Sequence, residues 1–255
     1  AGIAKLDEPC TLVSAVGGDF AGSEYEQWMD RLIITRQFFT VPDAHTATAF
    51  MFTDDAGDQI TFFEWGASAA FEHEEAPSLP FVHMATADPG FNARVAELSE
   101  FASFDPGQDL HRYTKEQLDS ILDNITILFA NQHEIMGMEG ILGTSRQYII
   151  SRVPMAVITM GKDGSILHEK GNSSHIPVIP VKMADPTGAG DAYRAGFLTA
   201  FSRGYEPLIA CRIGTVTASF AVEKIGCQTN LPDWEQMKAR YGKFFGSLLE
   251  PPRSN

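Results

Sequence analysis

The sequence predicts an α/β fold in which a mainly parallel sheet carries helices on both faces. Short β-rich apolar runs alternate with amphipathic helical patterns from residue 79 to 161. Helix-start signals stand where helical runs begin, and glycine-containing turns follow several strand-like runs. At 255 residues the chain is long enough for one large domain, and no linker, repeat or low-complexity tract divides it. A single domain over 1–255 is expected.

Taken in order, "AGIAKL" has helical character, and because the chain opens without Met inside such a run, a preceding segment is expected. "TLVSAVGGD", Thr11 to Asp19, is a β-branched apolar run closed by glycines, a buried strand entering a loop. Ser23 and Glu26 have capping-box spacing, so "SEYEQWMDRL" begins a helix. "TATAFMFTDDAGDQITFFEWG" holds two β-rich runs around Asp55-Ala56-Gly57-Asp58, a hairpin signal. Its aromatics Phe50, Phe52, Phe62, Phe63 and Trp65 exceed what an exposed hairpin needs, so it packs on the core or closes over something apolar. "LPFVHMAT" then reads as a strand, "PGFNARVAELSEF" as a helix and "ASFDP" as a strand. "TKEQLDSILDN" reads as a helix opened by a second capping box, Thr114 with Gln117. "ITILFAN" is a strand, residues 137 to 147 are helical, and "MAVITMG" is a strand entering the turn Gly161-Lys162-Asp163-Gly164. Helices follow from Gly188 to Arg203, with Gly204 as stop, and from Pro207 to before Gly226. The second is rich in small residues, which predicts close packing against the sheet or a flat ligand. "PDWEQMKARYGKFFGSLL" is a last amphipathic helix.

Ligands of such sheets gather beyond the carboxyl ends of the strands. That rule makes "DP" at 105, "NQHE" at 131, "TMGKDG" at 159 and "DPTGAGD" at 185 neighbours.

Composition narrows the function classes. Asp and Glu number 33 against 19 Lys and Arg, an acidic balance that argues against nucleic acid and anionic lipid as partners. No run of ~18 apolar residues is present to span a membrane as a helix. Three scattered cysteines without a CxxC pair predict a reduced, cytoplasmic protein with buried thiols. The histidines never form HExxH, which argues against zinc.

"DPTGAGDAYRAGF" carries the most chemistry. Gly188, Ala189 and Gly190 set amides at a helix N-terminus, where unpaired N–H groups and the helix dipole favour an anion. Asp191 beside them would repel that anion unless it serves to take a proton from an attacking hydroxyl. A tight turn into a helix is the plain alternative. The stretch is neither GxxxxGK[ST] nor GxGxxG, since Tyr193 occupies the third glycine position.

This stretch resembles the C-terminal signature of the PfkB/ribokinase family of sugar and nucleoside kinases. "LVSAVGGDF" is similar to the family's VGxD segment, "NQHE" to NxxE, "TMGKDG" to TxGxxG, and "AVEKIGCQT" to the loop near the adenine pocket. "SFDPGQ", "VPDAHTATAFMFTD" and "GDQI" look closest to bacterial and archaeal adenosine or nucleoside kinases. The resemblance implies a ribokinase-like three-layer α/β/α fold with a small β-hairpin lid, residues 41–66 forming part of it. It implies ATP and magnesium (Mg2+) as cofactors, Asp191 as general base, and the amides of Gly188, Ala189 and Gly190 on the transferred phosphoryl group. Asn131 and Glu134 would organise magnesium and phosphates, with helix capping by Asn131 as the alternative. Thr159, Gly161 and Gly164 would line the triphosphate, or form a plain turn. Thr215 would meet adenine, or serve helix packing. Asp185 and Thr187, with the loop from Gly226 to Thr229, would hold a monovalent cation (K+). Phe50 and Phe52 would cover the acceptor, or pack in the core. The family's opening strand, a further lid strand and a Gly-Gly…Asn motif have no counterpart here.

The resemblance therefore implies an ATP-dependent phosphotransferase acting on a hydroxyl of a nucleoside or furanose sugar. The alternatives are a ribokinase- or fructokinase-type sugar kinase, and a non-catalytic nucleotide-binding module. A homodimer through the lid is expected from its unpaired edges.

Overall fold

The computed structural model describes residues 1–53 and 59–251. The expected hairpin turn Asp55-Ala56-Gly57-Asp58 lies outside the described residues. A short helix α1 (Gly2–Lys5) leads to β1 (Thr11–Gly17), α2 (Glu24–Arg31), β2 (Thr35–Val41), and the antiparallel pair β3 (Thr48–Thr53) and β4 (Gln59–Glu64). Then come β5 (Val82–Met84), α3 (Pro89–Leu98), β6 (Ala102–Phe104), α4 (Lys115–Asn124), β7 (Ile127–Asn131), α5 (Gln132–Leu142) and α6 (Arg146–Ser151). The chain continues through β8 (Met155–Thr159), β9 (Ser165–Glu169), β10 (Asn172–Ile176), α7 (Ala189–Ser202), α8 (Pro207–Ala221) and α9 (Trp234–Phe245).

The main sheet has the order β10-β9-β8-β7-β6-β5. Strands β5 to β8 run parallel, while β9 and β10 are added antiparallel. Strands β7 and β8 are apolar and buried over their first four positions because successive side chains enter opposite layers. In β7, Leu128 and Ala130 join a core with α3, α4 and α5 through Phe91, Leu118, Ile121, Ile135 and Met138. Ile127 and Phe129 join the opposite core with α7, α8 and α9 through Phe197, Ile213 and Met237. Strand β8 divides the same way, Ala156 and Ile158 against Met155 and Val157. The result is three layers, helix, sheet and helix.

The helix starts follow their local signals. Thr114 and Gln117 make both arms of a capping box, at 3.2 and 2.9 Å. At α2 only one arm forms. Ser23 accepts from the Glu26 amide at 3.1 Å, but the Glu26 carboxylate accepts from Gly22 N–H instead. The helix expected over 137 to 147 is two helices, because Asn131 caps α5, Gly143 ends it at φ 65° and Ser145 caps α6.

Three strands are not foreshadowed by the sequence pattern. β2 pairs in parallel with β1 as a separate two-stranded sheet. β9 and β10 follow the turn at Gly161–Asp163, where Met160 N–H donates to Gly164 carbonyl at 2.8 Å and sends the chain back along β8. The small residues of α8 serve packing against α7. A Cβ on Gly214 would stand 2.8 Å from the Tyr193 carbonyl, and one on Gly196 would stand 2.4 Å from Thr217 Oγ1.

The β3–β4 pair is its own sheet, rooted on the end of β1. Asp19 Oδ1 accepts from both the Thr46 amide and hydroxyl at 2.8 Å, and Gly17 N–H donates to Thr46 Oγ1 at 3.1 Å. Those bonds hold the Asp19 carboxyl below the usual range. All three thiols are free; Cys211 is buried, whereas Cys10 and Cys227 are only half-buried. No helix among the described residues is long and apolar enough to cross a membrane.

Candidate active site

Asn131 and Thr159 end neighbouring parallel strands and are paired in register, so the carboxyl edge of β7 and β8 brings both to one place. Asp105 follows β6 at the same edge. Asn131 Oδ1 accepts from the amides of His133 and Glu134 at 2.8 and 2.9 Å. One Glu134 oxygen accepts from the Asn131 amide at 2.7 Å. The NxxE spacing thus builds a capping box that fixes the Glu134 carboxylate and leaves its other oxygen for a further partner. Burial raises the Glu134 carboxyl above the usual range, opposed by the Asn131 amide and by Arg194.

Beyond β8, Gly161 (φ 57°) and Gly164 (φ 88°) adopt left-handed backbone in the turn after Thr159. Lys162 lies exposed between them.

Helix α7 supplies the second half. Gly188, its N-cap, sits at φ 79°, and a Cβ there would stand 2.5 Å from Cys227 Cβ. Ala189 N–H donates to the Pro186 carbonyl at 3.1 Å. That leaves the amides of Gly190 and Asp191 as the first-turn donors with no intrahelical carbonyl to face. Asp191 lies in this turn with 77% of its side chain exposed. Asp185 pins the entry to the helix. Its two oxygens accept from the Thr187 and Gly226 amides at 2.9 Å, which holds its carboxyl below the usual range and fastens the loop from Gly226 to Thr229 beside Gly188.

Thr215 lies buried on α8. Phe50 and Phe52 are 55% and 61% exposed and share one face of the hairpin with Ile60 and Phe62, so they lie outside the core. Sequence reasoning missed Arg194, whose guanidinium bridges Asp191 and Asp105. Its signal was a lone arginine three residues after Asp191 on a helix otherwise made of small and apolar residues.

The donor set suits magnesium bound through phosphate. Among the described residues no group of three or more His, Cys, Asp or Glu side chains gathers to enclose a metal. Magnesium keeps much of its water and is held by one or two carboxylates plus substrate phosphates, so a single poised Glu134 fits it.

The model of the pfkB family carbohydrate kinases matches residues 1–234. The chain belongs to this family. It is a kinase, a phosphotransferase. It is 41% identical over 249 residues to the nucleoside kinase of Methanocaldococcus jannaschii, covering 95% of this chain and 82% of that one. It is 42% identical over 259 residues to the nucleoside kinase of Methanothermobacter thermautotrophicus, covering 97% and 83%. The crystal structure of the Methanocaldococcus jannaschii protein, an archaeal member of the ribokinase family, superposes with a TM-score of 0.90 over 95% of this chain and 83% of that chain. Burkholderia thailandensis nucleoside kinase in complex with inosine superposes with a TM-score of 0.89 at 25% identity, over 98% and 85%. The architecture is thus ribokinase-like, with a mainly parallel central sheet.

Proposed function

We propose that the protein transfers the terminal phosphoryl group of ATP to a hydroxyl of a nucleoside. The observation that carries this reading is an exposed Asp191 in the first turn of α7, beside open amides, in a chain 41% identical to a nucleoside kinase. The acceptor oxygen attacks the γ-phosphorus, its proton passes to Asp191, and the bond to the β,γ-bridging oxygen breaks with the electron pair leaving on ADP. The first-turn amides of α7 meet the negative charge on the transferred group, and the helix dipole adds to them. Asn131 sets Glu134 toward the phosphates, where bound magnesium would neutralise charge. Thr159, Gly161 and Gly164 line the triphosphate.

Residues 41–66 act as a lid, with Phe50 and Phe52 placed to shield the acceptor from water that would compete for the phosphoryl group. The unpaired edges of β3 and β4 support pairing with a second copy of the chain. Asp185 and Thr187 with the Gly226 loop would carry a monovalent cation, K+, at the foot of α7.

An acceptor panel tests the reading. ADP release is measured with ATP, magnesium and, in turn, adenosine, inosine, cytidine, ribose and fructose, in K+ and in tetramethylammonium buffer. Nucleosides are expected to give the highest kcat/KM, and K+ to raise it. Turnover of fructose or ribose with none of the nucleosides points to a sugar kinase instead. Light scattering of the same sample is expected to give twice the chain mass, and a single-chain mass excludes the lid pairing.

A further inference from the structure

Asp105 and Arg194 are 89 residues apart in sequence, yet they meet directly behind Asp191. Asp105 follows β6, its backbone N–H donating to the Met84 carbonyl at 3.0 Å and its Oδ1 accepting from Gly107 N–H at 2.8 Å. Gly107 stands at φ 58°, so the turn that presents this amide is itself conformationally specified. Asp105 Oδ2 takes Nη1 of Arg194, and Nη2 of the same guanidinium takes Oδ1 of Asp191. The Asp105 side chain is 5% exposed and Arg194 19%, against 77% for Asp191. A fixed, buried anchor therefore reaches a solvent-exposed carboxylate through one rigid planar fork.

Stability does not account for this arrangement. Burying Asp105 and Arg194 costs desolvation that an apolar pair would avoid. The Arg194 to Asp191 arm is an i,i+3 pair with one exposed partner, a geometry that contributes little to folding. What the fork does supply is orientation. An aspartate at a helix N-terminus has its own competing partners in the first-turn amides. Arg194 ties up Oδ1 of Asp191, with Oδ2 left to receive a proton.

We infer that Arg194, anchored by Asp105, is a positioning residue for Asp191 in phosphoryl transfer. The inference rests on the role of Asp191 proposed above. In this reading Arg194 and Asp105 act through Asp191.

The test is a set of rate measurements on the full chain, by ADP release with ATP, magnesium and the best acceptor of the panel. The variants are Arg194→Gln, Arg194→Lys, Asp105→Asn, Asp191→Asn and the double variant R194Q/D191N. Misplacing a catalytic group by about 1 Å costs up to ~10²-fold, so R194Q is expected to lower kcat about 10- to 100-fold. KM for both substrates should move by less than about threefold, since the interaction lost belongs to the transition state. Lysine keeps the charge but lacks the planar fork that fixes both carboxylates at once, so R194K should fall between wild type and R194Q. On the D191N background R194Q should change kcat by less than about twofold, because two groups acting as one unit are not additive. The same cycle with D105N in place of R194Q decides the question should R194Q fail to fold. An equal penalty in both backgrounds, or an unchanged kcat in R194Q, overturns the inference while leaving Asp191 as base. A wild-type rate in D191N overturns the role of Asp191 itself, and this inference with it.

Discussion

Replacing Asp191 by asparagine is expected to lower kcat by ~10² or more, the usual scale for loss of a general base. The side chain is exposed and the substitution is isosteric, so the fold should be little affected. The ion pair with Arg194 that is lost is exposed on one side and contributes only about 0–1 kcal/mol to stability. Thermal melting and ATP affinity should therefore match wild type while single-turnover phosphoryl transfer slows. Should the variant turn over at the wild-type rate on its best acceptor, proton removal must be assigned to another group.

Gly188→Ala is the second large effect, and it acts through the backbone. At φ 79° a residue with a Cβ pays about 1–2 kcal/mol for left-handed geometry. The added carbon would also stand 2.5 Å from Cys227 Cβ and 3.0 Å from its Cα, and the second contact cannot be relieved by a rotamer change. Overpacking of this kind costs about 1–3 kcal/mol more. The strain must be released by moving the turn or the Gly226 loop that Asp185 fastens beside it. Either shift moves the α7 amides that the proposed function sets against the phosphoryl group. G188A should thus unfold at lower urea and lose turnover even where it remains folded. Cys227→Gly in the same chain should recover part of the stability and little of the rate, since the left-handed cost remains. A melting point and kcat equal to wild type would show that the turn accepts a side chain, contrary to this geometry.

The two effects differ in what reveals them. Asp191 and its glycines lie within four consecutive residues, so their grouping could be read from the sequence. The proximity of Gly188 to Cys227 could not, because it depends on a loop that returns 39 residues later, on the far side of α8.

Legibility followed burial and locality. β7 and β8 were plain because both faces are buried and the first four positions of each are apolar. The caps at Thr114 and Ser23 were plain because a cap is a contact across three residues. β2, reading TRQFFTV, and β10, reading NSSHI, were not, since both are partly exposed and carry polar residues that give no clear period. Glu26 shows a subtler failure. The spacing of a capping box was right, yet its carboxylate bonds one residue earlier and pairs with Arg36.

Thr215 was singled out by resemblance alone, and the structure adds that it is buried on α8. Phe50 and Phe52 were readable as core or cover, and only their exposure removed the first option. By itself, then, the sequence determined the α/β class, the family, the helix starts at Ser23 and Thr114 and the grouping of amides with a carboxylate at residue 188 to 191, because each is written in residues near one another or in repeated burial. Only the tertiary structure decided the antiparallel strands after β8, the fastening of the α7 entry by Asp185, and the anchoring of Arg194 by Asp105. Those rest on single contacts between distant segments, and such contacts have no period and no local propensity to announce them.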